Sequence, residues 1–177
     1  MHKRVATGFR LCSIFAACIV PALVLGASIY NLPYVLTDEQ GKSLQLNQFQ
    51  GKPAFVTMEY ATCQFICSIS LTQLKRLQQL ADIHQQQYEF IIIGLDPQHD
   101  TPAAWKNYRE ARNLHLLNWH YLSPLAKDLQ SLAALIGIRY WYDNEILMHD
   151  FRVIRVDASG NVVGSITLND PLEQSFK

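Results

Sequence analysis

The sequence predicts an α/β fold, a mixed sheet flanked by helices, with an N-terminal membrane segment ahead of it. Three observations predict it. Between residues 54 and 136, β-prone runs alternate with stretches of helical periodicity; one run, 88–96, is almost continuously apolar; and two further β-prone runs close the chain around a tight turn. Strands that alternate with helices are joined by crossovers, and the resulting sheet is stable only when both faces are covered. Composition agrees with a folded domain, since 49% of the 177 residues are hydrophobic and 17% charged, with no repeat or low-complexity tract. The balance of 15 basic and 15 acidic side chains gives no sign of a polyanion-binding surface and argues against nucleic acid as a partner.

Taken in order, Lys3, Arg4 and Arg10 precede the first acidic residue, Asp38, and residues 11–29 carry no charge. A spanning helix needs roughly 20 apolar residues, and basic residues on the leading flank alone place the remainder of the chain outside the cytoplasm. Residues 1–29 are therefore expected to form a signal or membrane anchor, with 11–29 in the membrane, and 30–177 the exported domain. An uncleaved anchor is the better fit, because Leu25 suits a signal peptidase poorly before a cut after Ala27. Cys12 and Cys18 read as apolar residues of that segment; the apolar run past Cys18 argues against a lipoprotein box.

Residues 33–36 and 44–46 bracket a polar turn at 37–42 and read as a short edge hairpin. Residues 54–60 form a strand. Ile66, Ile69, Leu74, Leu77 and Leu80 recur at helical spacing after it. The run 88–96 belongs at the sheet centre. Pro102, capped by Asp100 or Thr101, opens a helix reaching about Arg112. A short strand is expected over 119–122. A third helix over 124–136 presents Leu125, Leu129, Leu132 and Ile136, and Gly137 stops it. Residues 151–156 and 162–167 make a hairpin around Asp157-Ala158-Ser159-Gly160-Asn161, leaving room at the end for a short helix at most. A thioredoxin-like arrangement is one architecture that fits this order.

Cys63 and Cys67 lie between the first core strand and the first long helix, and no other cysteine falls outside the membrane segment. If the helix begins there, positions i and i+4 share a face with about 6 Å of rise, a separation a disulfide just spans. The positive end of the helix dipole favours thiolate, the form that attacks disulfides and binds metals. An inert disulfide, a redox pair and a metal site all remain open at this point.

Together with these cysteines, Asp96-Pro97-Gln98-His99-Asp100-Thr101-Pro102 and Met148-His149-Asp150-Phe151-Arg152 complete a pattern, with Leu36-Thr37-Asp38 and Gly41 ahead of it. Over residues 32–168 the chain resembles the SCO/SenC family of copper-binding, thioredoxin-like proteins required for cytochrome c oxidase assembly. It departs from that family at Gln64 and Ser68, where many members have proline, and at Met148, where many have aspartate. The resemblance implies one copper ion, as Cu(I) or Cu(II), held by Cys63, Cys67 and His149, with delivery to the CuA centre in oxidase subunit II as the partner. Its alternative is an exported thiol-disulfide reductase in which Cys63 and Cys67 are the redox pair. Two thiolates select Cu(I), and an imidazole keeps Cu(II) accessible. A structural zinc site would want a fourth protein ligand, for which Met148 offers a weak thioether and Glu59 a hard carboxylate. Asp96, His99, Asp100 and Pro102 read as turn and cap residues, and His84, His115 and His120 as surface or packing residues. No GxSxG, P-loop or HExxH motif suggests hydrolase or nucleotide chemistry.

Overall fold

The structure, a computed structural model, describes residues 28–62 and 67–176, with only the backbone of Cys67 and Ser68. The expected membrane segment up to residue 27, and Cys63, lie outside the described residues. Among the described residues no helix is long and apolar enough to cross a membrane.

The described residues form nine strands and three α-helices: β1 (Leu36–Asp38), β2 (Ser43–Leu44), β3 (Ala54–Glu59), α1 (Cys67–Ile83), β4 (Glu89–Gly94), α2 (Pro102–Ala111), β5 (Trp119–Pro124), α3 (Leu129–Ile136), β6 (Tyr140–Asp143), β7 (Ile146–His149), β8 (Arg152–Val156) and β9 (Val162–Thr167). Seven strands form one sheet in the order β2-β1-β5-β4-β3-β8-β9, while β6 and β7 pair separately. The neighbours β5, β4 and β3 run parallel, and β8 lies antiparallel to β3 in the register Thr57↔Val153. The almost continuous apolar run, β4, is the central strand, as its lack of any polar face requires.

Alternation sorts the core into two halves. Ala54, Val56, Met58, Ile91, Ile93, Ile154 and Val156 face α3 and the N-terminal turn, whereas Phe55, Phe90, Ile92 and Val153 face α1 and α2. Helix α1 buries Leu74, Leu77, Leu80 and Ala81, and α2 buries Trp105 and Tyr108. Thr101 caps α2 by accepting a hydrogen bond from the Ala104 amide at 3.2 Å, with proline at the first helical position.

Several expectations need correction. Ile69 is half exposed, because α1 turns Leu71, Leu74 and Leu77 inward instead. The third helix begins at Leu129 after a 3-10 turn, so Leu125 stands 48% exposed. The first hairpin carries Thr37 and Asp38 in its strand, and only 39–42 form the turn. Ser28 and Ile29 belong to the folded domain: the Ile29 amide donates to Gly160 O at 2.8 Å, Ser28 Oγ donates to Ser159 O at 2.7 Å, and Ile29 is buried beside Tyr30.

The hairpin β6–β7 is absent from the expected elements. Its two-residue turn, Asn144-Glu145, has both residues at positive φ (46° and 66°), the geometry that lets two strands keep their natural twist. No glycine marks it, and three of the four β6 residues are exposed, so neither turn chemistry nor a burial alternation announces it.

Candidate metal centre

The site lies where β3 and β7 end. The register Thr57↔Val153 sets the start of β8 beside the last residues of β3, so the chain just before β8 runs along the residues after Thr57. His149 closes β7 and Glu59 closes β3. Both side chains are buried, 1% and 3% exposed, and His149 Nε2 stands 3.7 Å from Glu59 Oε2.

The imidazole is held by its other nitrogen, since Nδ1 lies 2.9 Å from the carbonyl oxygen of Asp150. A carbonyl only accepts, so Nδ1 donates to it and Nε2 is the nitrogen that faces the site. Among the described residues Nε2 has no hydrogen-bond partner. A histidine whose outer N–H binds a backbone carbonyl and whose inner nitrogen is buried without a described hydrogen bond has an arrangement suited to a metal ligand. Tyr60 fastens the two halves: its hydroxyl donates to Leu147 O at 2.5 Å, and its ring meets that of His149 edge-on at 5.8 Å.

Cys63 lies outside the described residues, and Cys67 is the first residue of α1, which packs on the sheet face to which alternation along β3 assigns Glu59. No group of three metal-ligating residues converges among the described residues. Of the two candidate fourth ligands, Met148 falls on the opposite face of β7 from His149, as strand alternation dictates, and Glu59 stands beside the histidine. Asp150 does not turn inward. Its carboxylate accepts from the Arg139 amide at 2.9 Å and from Arg139 Nε at 3.0 Å, which ties the two sides of the hairpin base together.

The Asp-Pro segment after β4 holds the chain just after β3 at Ala61. Asp100 is 1% exposed, and its carboxylate accepts from the Ala61 amide at 2.7 Å and the Asp96 amide at 2.8 Å. Burial pushes its pKa up to about 7, against the pull of those two hydrogen bonds. His99 pairs with Asp96 at 2.8 Å on the surface, His120 with Glu89 at 2.6 Å, and His84 stacks on Phe176; none approaches His149. A groove of about 810 Å³ opens beside the site between Tyr60, Thr62, Leu95, Pro97, Ile146 and Leu147. Glu59 can be picked out of the sequence as a hard donor, but the Tyr60 hydroxyl cannot; no local pattern signals a bond across 87 residues.

A thioredoxin-like sheet that carries a cysteine pair after its first core strand and a buried histidine before its final hairpin defines a class of protein. The SCO1/SenC family model matches residues 25–176, and the chain belongs to that family. An SCO2-like protein of Rickettsia conorii is 25% identical over 131 residues, covering 72% of this chain and 64% of the relative, so the chain spans less than two thirds of that relative's length. The structure of Arabidopsis thaliana ScoI with copper bound matches with a TM-score of 0.70 at 18% identity, over 83% of this chain and 92% of that one. Bradyrhizobium japonicum ScoI with copper bound matches with a TM-score of 0.65 at 23% identity, over 82% and 94%.

Proposed function

We propose that this chain holds one copper ion through Cys63, Cys67 and His149 and supplies it to the CuA centre of cytochrome c oxidase, whose subunit II is its partner. The observation that carries this reading is His149: a buried imidazole whose Nδ1 is held by Asp150 O and whose Nε2 has no hydrogen-bond partner among the described residues. Two thiolates beside that nitrogen would make a soft site suited to Cu(I), with the imidazole keeping Cu(II) accessible. The copper-bound ScoI structures of the same fold support the choice of metal. The residues ahead of Ser28 would export the domain and tether it to the membrane, with the groove beside Tyr60 open to the partner.

The test is a titration of the reduced full chain with Cu(I) in the absence of oxygen against a competing chelator. One equivalent should bind, and Cys63→Ser, Cys67→Ser and His149→Ala should each weaken it by at least about tenfold. Full binding after loss of either cysteine overturns the proposal. A cysteine pair that cycles with partner thiols without metal, and without need of His149, would make the protein a thiol-disulfide reductase instead.

A further inference from the structure

We propose that Leu116 and Leu117, with Ile83 at the end of α1, form a lipid-contacting surface that rests on the membrane to which the domain is tethered. The inference rests on the tethering reading above and not on the metal. Leu117 is 94% exposed, the highest value of any large apolar side chain among the described residues; Ile83 is 68% exposed, and Leu116 is exposed beside Leu117. A single exposed leucine is ordinary, whereas apolar tips gathered at one end of a domain mark a contact. The segments that carry these three adjoin, because the Asn118 side chain donates to Gln78 Oε1 on α1 and to Tyr88 O, each at 2.9 Å. Neither 83–88 nor 113–118 contains Asp, Glu, Lys or Arg, so no charge has to be brought to a bilayer surface with them.

What this surface faces follows from the sheet register. Ala54 pairs with both Glu89 and Val156, and Phe90 pairs with Trp119, so the starts of β3, β4 and β5 lie level with the end of β8. The residues before Trp119 and the turn after Val156 therefore leave the sheet at the same end. That turn holds the first described residues, through the Ile29 amide on Gly160 O at 2.8 Å and Ser28 Oγ on Ser159 O at 2.7 Å. Three strand spacings, roughly 14 Å, separate β8 from β5. The uncharged run 11–29 thus continues into the fold, and no charged linker stands between the expected membrane segment and the domain. The headgroup layer is about 5–8 Å thick. One residue advances the chain by at most about 3.6 Å, so a span that ends ahead of Ser28 brings this end of the sheet against the headgroups. Leucines that project there enter the boundary of the acyl region while their histidine and asparagine neighbours stay hydrated. A tether alone leaves a domain free to swivel, and a second contact at that separation fixes its tilt.

The experiment places the full chain, labelled with 13C at the leucine methyls, in bilayers of phosphatidylethanolamine and phosphatidylglycerol, a small share of which carries a gadolinium chelate on the headgroup. Leu125, half exposed just past the opposite end of β5, is the internal reference. The Leu116 and Leu117 methyls are expected to relax several-fold faster than those of Leu125. Leu117→Glu separates contact from mere nearness: its side chain stands in solvent, so the fold is kept, and the enhancement at Leu116 should fall. An unchanged enhancement at Leu116 in that variant overturns the proposal. So does a Leu117 that neither the lipid-bound chelate nor a water-soluble one relaxes, since a second protein surface then covers it. Alkaline carbonate extraction separates the two levels. If the chain washes off the bilayer, the tethering reading fails and the proposal with it; if it is retained while Leu117 relaxes no faster than Leu125, only the lipid contact falls.

Discussion

Asp100 shows how a single side chain couples two loops. Its two oxygens accept one amide from the loop after β3 and one from the loop after β4, so the residues leading to Cys63 are held by a group 37 positions away from it in sequence. The contact leaves no space at Gly94, where an added Cβ would stand 2.6 Å from Asp100 Oδ2. Gly94→Ala is therefore expected to lower stability by about 2 kcal/mol in urea unfolding. The raised pKa of Asp100 has a definite sign. The folded state keeps its proton to about pH 7, while the unfolded chain releases it near pH 4, so between those values the folded state binds more protons and stability falls as pH rises. One proton gives a slope of at most about 1.4 kcal/mol per pH unit. Denaturation curves collected from pH 4 to 7 should show this decline, and Asp100→Asn should flatten it.

At the scale of elements, the hairpin β6–β7 is the part that delivers His149, and its stability comes from few sources. Glu145 occupies the left-handed region at a φ of 66°, a position that glycine fills without steric cost. Glu145→Gly is expected to raise stability by about 0.5–1 kcal/mol, visible as a higher Tm. Tyr60→Phe should do the reverse, removing the bond to Leu147 O at a cost of about 1 kcal/mol and speeding amide exchange across 140–149. The strands and helices of the main sheet are legible in the sequence because each carries its own signal: the apolar run of β4, the Thr101-Pro102 start of α2, the glycine after Ile136. The hairpin is not, since Tyr140, Trp141 and Tyr142 leave no buried alternation and Asn144-Glu145 lacks glycine. The same contrast holds in the site. Cys63, Cys67 and His149 stand out by their chemistry, whereas the approach of Glu59 to His149 across 90 residues comes only from β8 returning beside β3.

On the scale of the whole molecule, the first described residues, Ser28 to Tyr30, are structural. Tyr30 is fully buried, its hydroxyl donates to Lys52 O at 2.6 Å, and burial raises its pKa to about 12. Gly160 lies at a φ of 88°, and a Cβ there would collide with Ser28 Oγ and the Tyr30 ring. Gly160→Ala should cost about 1–3 kcal/mol and loosen this segment first, detectable as earlier proteolysis near Ser28. The attachment of Ser28 and Ile29 to the turn at 159–160, with the Gly51 amide bonded to Ala158 O nearby, fixes where the chain enters the domain: at the base of β3. His149 and Glu59 sit at the other end of that strand, whose six residues span roughly 20 Å. The chain thus enters the domain at one pole while His149 occupies the opposite one, so under the copper reading proposed above a large partner could meet the histidine head-on with the point of entry out of its way.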